Sequence, residues 1–130
     1  GTAQGIYYID AAIGIVGRVN TPIKVTVKDG FAVSIEGGGE AEKVRQTLES
    51  IKDNNAFNIA ELGIGTNEKA RISGNPLQDE KILGTCHIAF GKNSSFGGNV
   101  DVPFHSDGII KKPTIYVDGK KIMEAGKLLI

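Results

Sequence analysis

Two runs of alternating side chains on either side of Asp29-Gly30 constrain the fold of this chain more than any other feature. Large apolar residues occupy every second position in residues 23–27 and again in residues 31–35. A strand that buries one face and exposes the other has this period of two. An Asp-Gly pair between two such runs is a strong signal for a two-residue hairpin turn. The chain is therefore expected to build on antiparallel strands.

The rest of the chain predicts more strands and one helix. Val44, Leu48 and Ile51 form an apolar stripe at helical spacing after the glycines at 37–39, which predicts a helix over about residues 40–52. Asp118-Gly119 predicts a second hairpin. The fold class expected is α+β, predominantly antiparallel β-sheet with hairpins and one main helix. The other stretches with the composition of strands are residues 5–19, 57–64, 82–91, 100–104, 108–117 and 121–123.

Length, charge and cysteine content narrow the class of protein. At 130 residues the chain is expected to be one domain, 1–130. Fifteen basic and fifteen acidic residues cancel, which argues against nucleic-acid and membrane-surface partners. The single cysteine, Cys86, excludes an internal disulfide, and we find no signal peptide or long apolar run. A cytoplasmic protein is expected. Because the chain opens without Met and close to a strand, we expect it to come from a longer protein.

Both histidines of the chain lie in residues 82–108, which makes this segment the candidate functional site. His87 is flanked on its own strand face by small residues, which leaves space for a ligand. His105 and Asp107 are two positions apart, so an extended segment points both side chains the same way. A core histidine bonded to a neighbour and a His–Asp hydrogen bond at a turn are the structural alternatives.

Glu61 is the candidate for a further ligand. It falls on the face of its strand that carries Phe57 and Ile59, where an unpaired carboxylate would cost several kcal/mol to bury. A cation partner, a solvated strand end, or a pair with Arg18, Arg71 or a lysine would each explain it. With two histidines and Asp107, Glu61 completes a set of two imidazoles and two carboxylates. Such a set suits Zn²⁺, Co²⁺ or Mn²⁺ better than Ca²⁺ or Mg²⁺, and a carboxylate can bridge two ions.

The segments AELGIGTNEKARISGNPLQDEKILGTCHIAFG and VPFHSDG resemble the M29 family of metallo-aminopeptidases, of the aminopeptidase T or thermophilic leucyl aminopeptidase type. The resemblance extends over the chain from NTPIKVTVKDG onward. It implies a C-terminal catalytic domain in which Glu61, His87, His105 and Asp107 bind two divalent ions, Zn, Co or Mn. It also implies that Glu61 is catalytic and that a metal-held water hydrolyses N-terminal residues of peptides. A homodimer and contact with an upstream domain of the same chain are further expectations.

Two departures from that family bear on the expected activity. A further ligand, a Glu in a Gly-Glu motif, precedes the segment like GTAQGIYYID in family members, so this chain is expected to be inactive alone. Ser94 stands where many members have a tyrosine. Glu80 could assist proton transfer, although solvation at the surface is the favoured interpretation. The rival hypothesis is a non-catalytic binding or dimerisation module with a vestigial metal site and exposed hairpin edges.

Overall fold

The computed structural model describes residues 2–71, 73–74 and 79–129, and these residues fold mainly into antiparallel strands with one main helix. The predicted α+β class is confirmed. The helix, α1, runs over Gly39–Ser50. The strands in chain order are β1 (Gly5–Ile9), β2 (Ala12–Ile13), β3 (Gly17–Arg18), β4 (Ile23–Lys28), β5 (Phe31–Glu36), β6 (Ile59–Ile64), β7 (Thr85–Gly91), β8 (His105–Lys111), β9 (Ile115–Val117), β10 (Lys120–Glu124) and β11 (Lys127–Leu128).

Within this described part of the chain the strands form three antiparallel sheets. One has the order β1-β4-β5, one the order β3-β2-β8-β7-β6, and a small one the order β11-β10-β9. The predicted hairpin between β4 and β5 is confirmed, with positive φ at Asp29 (53°) and Gly30 (84°). The predicted hairpin between β9 and β10 is confirmed too, with φ of 49° at Asp118 and 80° at Gly119. Positive φ at both central residues is the geometry that Asp-Gly turns favour.

Helix α1 covers the inner face of the first sheet and supplies the main core. Its buried side chains Ala41, Val44 and Leu48 pack with apolar residues of β4 and β5 and with Phe90 of β7. Lys52 adopts a left-handed conformation with φ of 57°, which stops the helix slightly before the predicted end at about residue 52. No described helix is long and apolar enough to span a membrane.

Several predicted strand boundaries shift for local reasons. The run 5–19 divides into β1, β2 and β3. Phe57, the first residue of the predicted run 57–64, instead ends a short 3₁₀ helix, Asn54–Phe57, before β6 begins. Residues 100–104, predicted to be extended, form no strand. The predicted loop 66–80 lies partly outside the described residues, since 72 and 75–78 are not among them.

Candidate metal centre

Three adjacent strands of the five-stranded sheet, β8, β7 and the edge strand β6, bring the predicted site residues onto one face. Glu61 of β6 and Asp107 of β8 both pair with Ala89 of β7, and directly paired residues point their side chains to the same side of a sheet. His87 pairs with Gly63, and His105 pairs with Gly91, on this same face. The methyl group of Ala89 leaves room between the two carboxylates.

A β-bulge, which the sequence pattern could not reveal, places Glu61 in this group. Strict alternation put Glu61 on the face of Ile59, but the register shifts between these two residues. Ile59 therefore pairs with Phe90 on the core face, while Glu61 pairs with Ala89 on the opposite one. The predicted face of Glu61 was wrong, because one extra residue in a strand reverses the side-chain alternation beyond it.

Glu61 lies between the two imidazoles. Its Oε1 is 3.3 Å from His87 Nε2, and its Oε2 is 3.3 Å from His105 Nε2. His105 Nε2 is also 3.4 Å from Asp107 Oδ1. The structure thus brings together all four side chains that the sequence singled out, and each belongs to at least one of two groups of three residues that could hold a metal ion.

The orientation of His105 is set from outside this cluster. Its Nδ1–H donates to the backbone carbonyl of Lys92 at 2.8 Å. That hydrogen bond directs Nε2 at the carboxylates. A backbone carbonyl bonded to one ring nitrogen is the usual support for a histidine that binds a metal through the other.

His87 is packed against a glycine of the neighbouring strand. The residue is 8% exposed, and its Nδ1 is buried with no hydrogen-bond partner among the described residues. A Cβ atom at Gly63 would lie 2.2 Å from both Cε1 and Nε2 of the imidazole. The space for His87 therefore depends on Gly63, which the sequence analysis missed although a glycine inside a strand signals a close approach.

Glu80, which the sequence analysis named as a group that could assist proton transfer, lies against the cluster. Its side chain is 18% exposed and hydrogen-bonds to the Asp107 carboxyl, so the favoured interpretation of a solvated surface acid was wrong. Burial, the hydrogen bond to Glu80 and the charge of Glu80 raise the pKa of Asp107 to about 6, against the opposing effect of the two histidines. Donor atoms of Glu61, His105 and Asp107 lie within 4.8 Å of one another, as do those of Glu80, His87 and Asp107.

A cleft of about 620 Å³ opens beside His105. Its walls include the apolar side chains of Val102, Pro103 and Phe104, and its polar end carries Lys92 and Asp101, whose Nζ and Oδ1 atoms are 3.5 Å apart. Ser94, which contacts Asp101 through its hydroxyl at 3.5 Å, does not line this cleft. The cleft is large enough to admit a small ring next to the cluster.

Comparisons with known proteins indicate a family different from the one that the sequence analysis predicted. A family model described as "NicX: 2,5-dihydroxypyridine 5,6-dioxygenase" matches residues 6–130. The 2,5-dihydroxypyridine 5,6-dioxygenase of Pseudomonas putida KT2440 is 27% identical over 145 residues, which cover 98% of this chain and 40% of that protein. A solved structure of the 2,5-dihydroxypyridine dioxygenase from Pseudomonas putida KT2440 superimposes with a TM-score of 0.89 at 25% identity, again over 98% and 40% of the two chains.

These matches contradict the predicted M29 membership and the predicted metallo-aminopeptidase activity on peptide substrates. They give no support to the rival prediction of a non-catalytic module. The physical reason for the error is that imidazole and carboxylate ligands serve hydrolytic and oxidative metal sites alike. The chain spans about 40% of the length of these relatives.

Proposed function

Because this chain belongs to the NicX family of 2,5-dihydroxypyridine 5,6-dioxygenases, we propose that it forms the metal centre of an enzyme that adds dioxygen to a hydroxylated pyridine ring. The observation that carries the proposal is the convergence of two imidazoles with carboxylates on one sheet face, at contacts of 3.3–3.4 Å. Two histidines and one carboxylate are the ligand set of non-haem Fe(II) oxygenases.

A ferrous ion would be held by His87, His105 and Asp107, whose donor atoms fall in two groups that share Asp107. Burial and Glu80 raise the pKa of Asp107 to about 6, which means that the ionised carboxylate is disfavoured at this position. A bound cation would stabilise that ionised form. The Lys92 carbonyl holds the His105 ring in position, and contact with Gly63 confines the ring of His87. Iron takes the place of the expected zinc, cobalt or manganese. The expected pair of ions stays a prediction, which metal analysis decides.

Bound ferrous iron would supply the one-electron chemistry that lets dioxygen react with an aromatic ring. The protein side chains have separate tasks. Glu61, with Oε1 and Oε2 each facing an imidazole, would be the carboxylate that accepts a proton from a substrate hydroxyl, which keeps the predicted catalytic role at this residue. Asp107 and Glu80 share a hydrogen bond, so one of the two carboxyls can hold a proton at its oxygen.

The cleft beside His105 would hold the substrate ring. Phe104, Val102 and Pro103 offer an apolar wall for a flat heterocycle, and Lys92 with Asp101 can hydrogen-bond its hydroxyl groups at the other end. We infer the substrate class, a hydroxylated pyridine, from the reaction named for the Pseudomonas putida relative. The expected location in the cytoplasm, the homodimer and the contact with an upstream domain stay predictions.

The test is dioxygen uptake by the purified protein after anaerobic loading with Fe(II). We expect uptake on addition of 2,5-dihydroxypyridine, none with leucyl anilide substrates, and none from the His105→Ala variant with either. Metal analysis of the same sample gives the number of ions per chain. Iron bound at one or more equivalents without substrate-dependent uptake would contradict the proposal.

A further inference from the structure

We propose that Asn58, a buried amide outside the metal cluster, is a positioning residue that orients His105 through Gly91 and Lys92. Asn58 is 3% exposed and follows the 3₁₀ helix Asn54–Phe57 just before β6. The inference deepens the proposed function and rests on it for the metal, but the contacts that carry it are independent of any bound ion.

Asn58 forms two hydrogen bonds with Gly91 at the end of β7. Its side-chain Nδ2 donates to Gly91 O at 3.0 Å, and Gly91 N–H donates to Asn58 O at 2.9 Å. Gly91 has φ of 97°, and a Cβ there would lie 2.3 Å from the carbonyl oxygen of Phe104. The chain therefore turns at a position that only glycine can occupy, and Asn58 is the side chain that holds the turn.

The hydrogen bond from the Asn58 side chain helps to fix the peptide plane between Gly91 and Lys92. Gly91 C=O and Lys92 N–H belong to the same planar peptide unit. Asn58 binds its oxygen, and the N–H of Lys92 donates to Phe104 O at 2.7 Å on the other side. Because both ends of this unit are held, the backbone that leads to the next carbonyl, Lys92 O, is constrained.

Lys92 O is the acceptor for His105 Nδ1–H at 2.8 Å. The path from Asn58 to the imidazole therefore consists of one side-chain hydrogen bond, one peptide plane and one carbonyl. Loss of a group that supports a metal-binding histidine typically costs ~10–100-fold in metal affinity. Asn58 also lies three residues before Glu61, so it ties the strand of the carboxylate to the segment that carries the partner of His105.

The test uses Asn58→Asp, which keeps the shape and removes the Nδ2–H donor, and Asn58→Ser, which is uncharged and too short to reach Gly91 O. The matched control is Val44→Ala, a cavity in the core face of α1 that lies outside this hydrogen-bonded path. The first measurement is the tautomer of His105 in the metal-free protein by ¹⁵N NMR. We expect Nδ1–H in the wild type and the control, and a mixture of tautomers in both Asn58 variants.

The second measurement is Co²⁺ affinity, followed by absorption in the visible range. We expect both Asn58 variants to bind ~10–100-fold more weakly than the wild type, and Val44→Ala to stay within about twofold, whatever its loss of stability. A pure Nδ1–H tautomer in the Asn58 variants, with affinity equal to the control, would overturn the inference. If the wild type itself binds no metal, the proposed function fails, whereas the tautomer still decides the role of Asn58.

Discussion

Gly63→Ala is the sharpest perturbation that the structure offers, since it displaces a site residue without replacing any side chain of the cluster. Gly63 does not have the positive φ that would make alanine strained, so the backbone accepts the change. The added Cβ would lie 2.2 Å from Cε1 and Nε2 of His87. Ordinary contacts between carbon atoms are about 3.5–4.0 Å, so the imidazole must retreat by about 1.3 Å or more.

A displacement of that size exceeds what a metal site tolerates. Ligand positions need to be held within ~0.5 Å, and metal–ligand distances within ~0.2 Å. We therefore expect metal affinity to fall at least ~10–100-fold, which corresponds to about 1.4–2.7 kcal/mol. Overpacking of the buried imidazole should lower the free energy of unfolding by about 1–3 kcal/mol.

The assay is anaerobic titration with Fe²⁺ or Co²⁺, with chemical unfolding of the metal-free protein alongside. Gly39→Ala is the matched control, because a Cβ at the start of α1 meets no atom within 4 Å. That variant should bind metal as the wild type does and gain a few tenths of a kcal/mol from helix propensity. Wild-type metal affinity in Gly63→Ala would refute the claim that His87 is a ligand held in place by this glycine.

The remaining predictions concern buried polar groups and the charge of the site. The hydroxyl of Tyr7 is buried without a hydrogen-bond partner among the described residues, so Tyr7→Phe should raise the free energy of unfolding by about 1 kcal/mol, measured in urea; a loss of stability would count against it. Burial raises the folded-state pKa of Asp107 from 3.8 to about 6, so the folded chain binds more protons than the unfolded one between these values. The contribution of Asp107 to the stability of the metal-free protein should therefore fall as pH rises from about 4 to about 6, and Asp107→Asn should remove that contribution and abolish metal binding. Glu80→Gln, which removes a carboxylate beside Asp107, should lower the pKa of Asp107, detectable by ¹³C NMR titration, and an unchanged midpoint would argue against the contact.

The sequence predicted the turns, strands and helix that depend on residues close to one another in the chain. The Asp29-Gly30 turn, its flanking strands and the stripe of Val44 and Leu48 each follow from a short window of residues. The left-handed conformation of Lys52 and the 3₁₀ helix at residues 54–57 moved the ends of the neighbouring elements by only a few positions.

The sequence singled out the residues of the candidate site but not their arrangement. Glu61 was singled out because an acid is out of place on an apolar strand face, His87 for the small residues beside it, and His105 with Asp107 for their spacing. The bulge that turns Glu61 and the pairing of Gly63 with His87 depend on cross-strand register, which no short window contains. Glu80 reaches Asp107 from a separate segment, so only the tertiary fold reveals it. The reaction was predicted wrongly because the types of ligand determine which metals bind but not which reaction the metal catalyses.

Incorporation of ¹⁸O tests the central claim most directly. The Fe(II)-loaded protein is mixed with 2,5-dihydroxypyridine under ¹⁸O₂, and the product is analysed by mass spectrometry. A dioxygenase centre predicts a ring-opened product that carries two ¹⁸O atoms, and no such product from His105→Ala. Unlabelled product, or unchanged substrate with iron bound, would contradict the account.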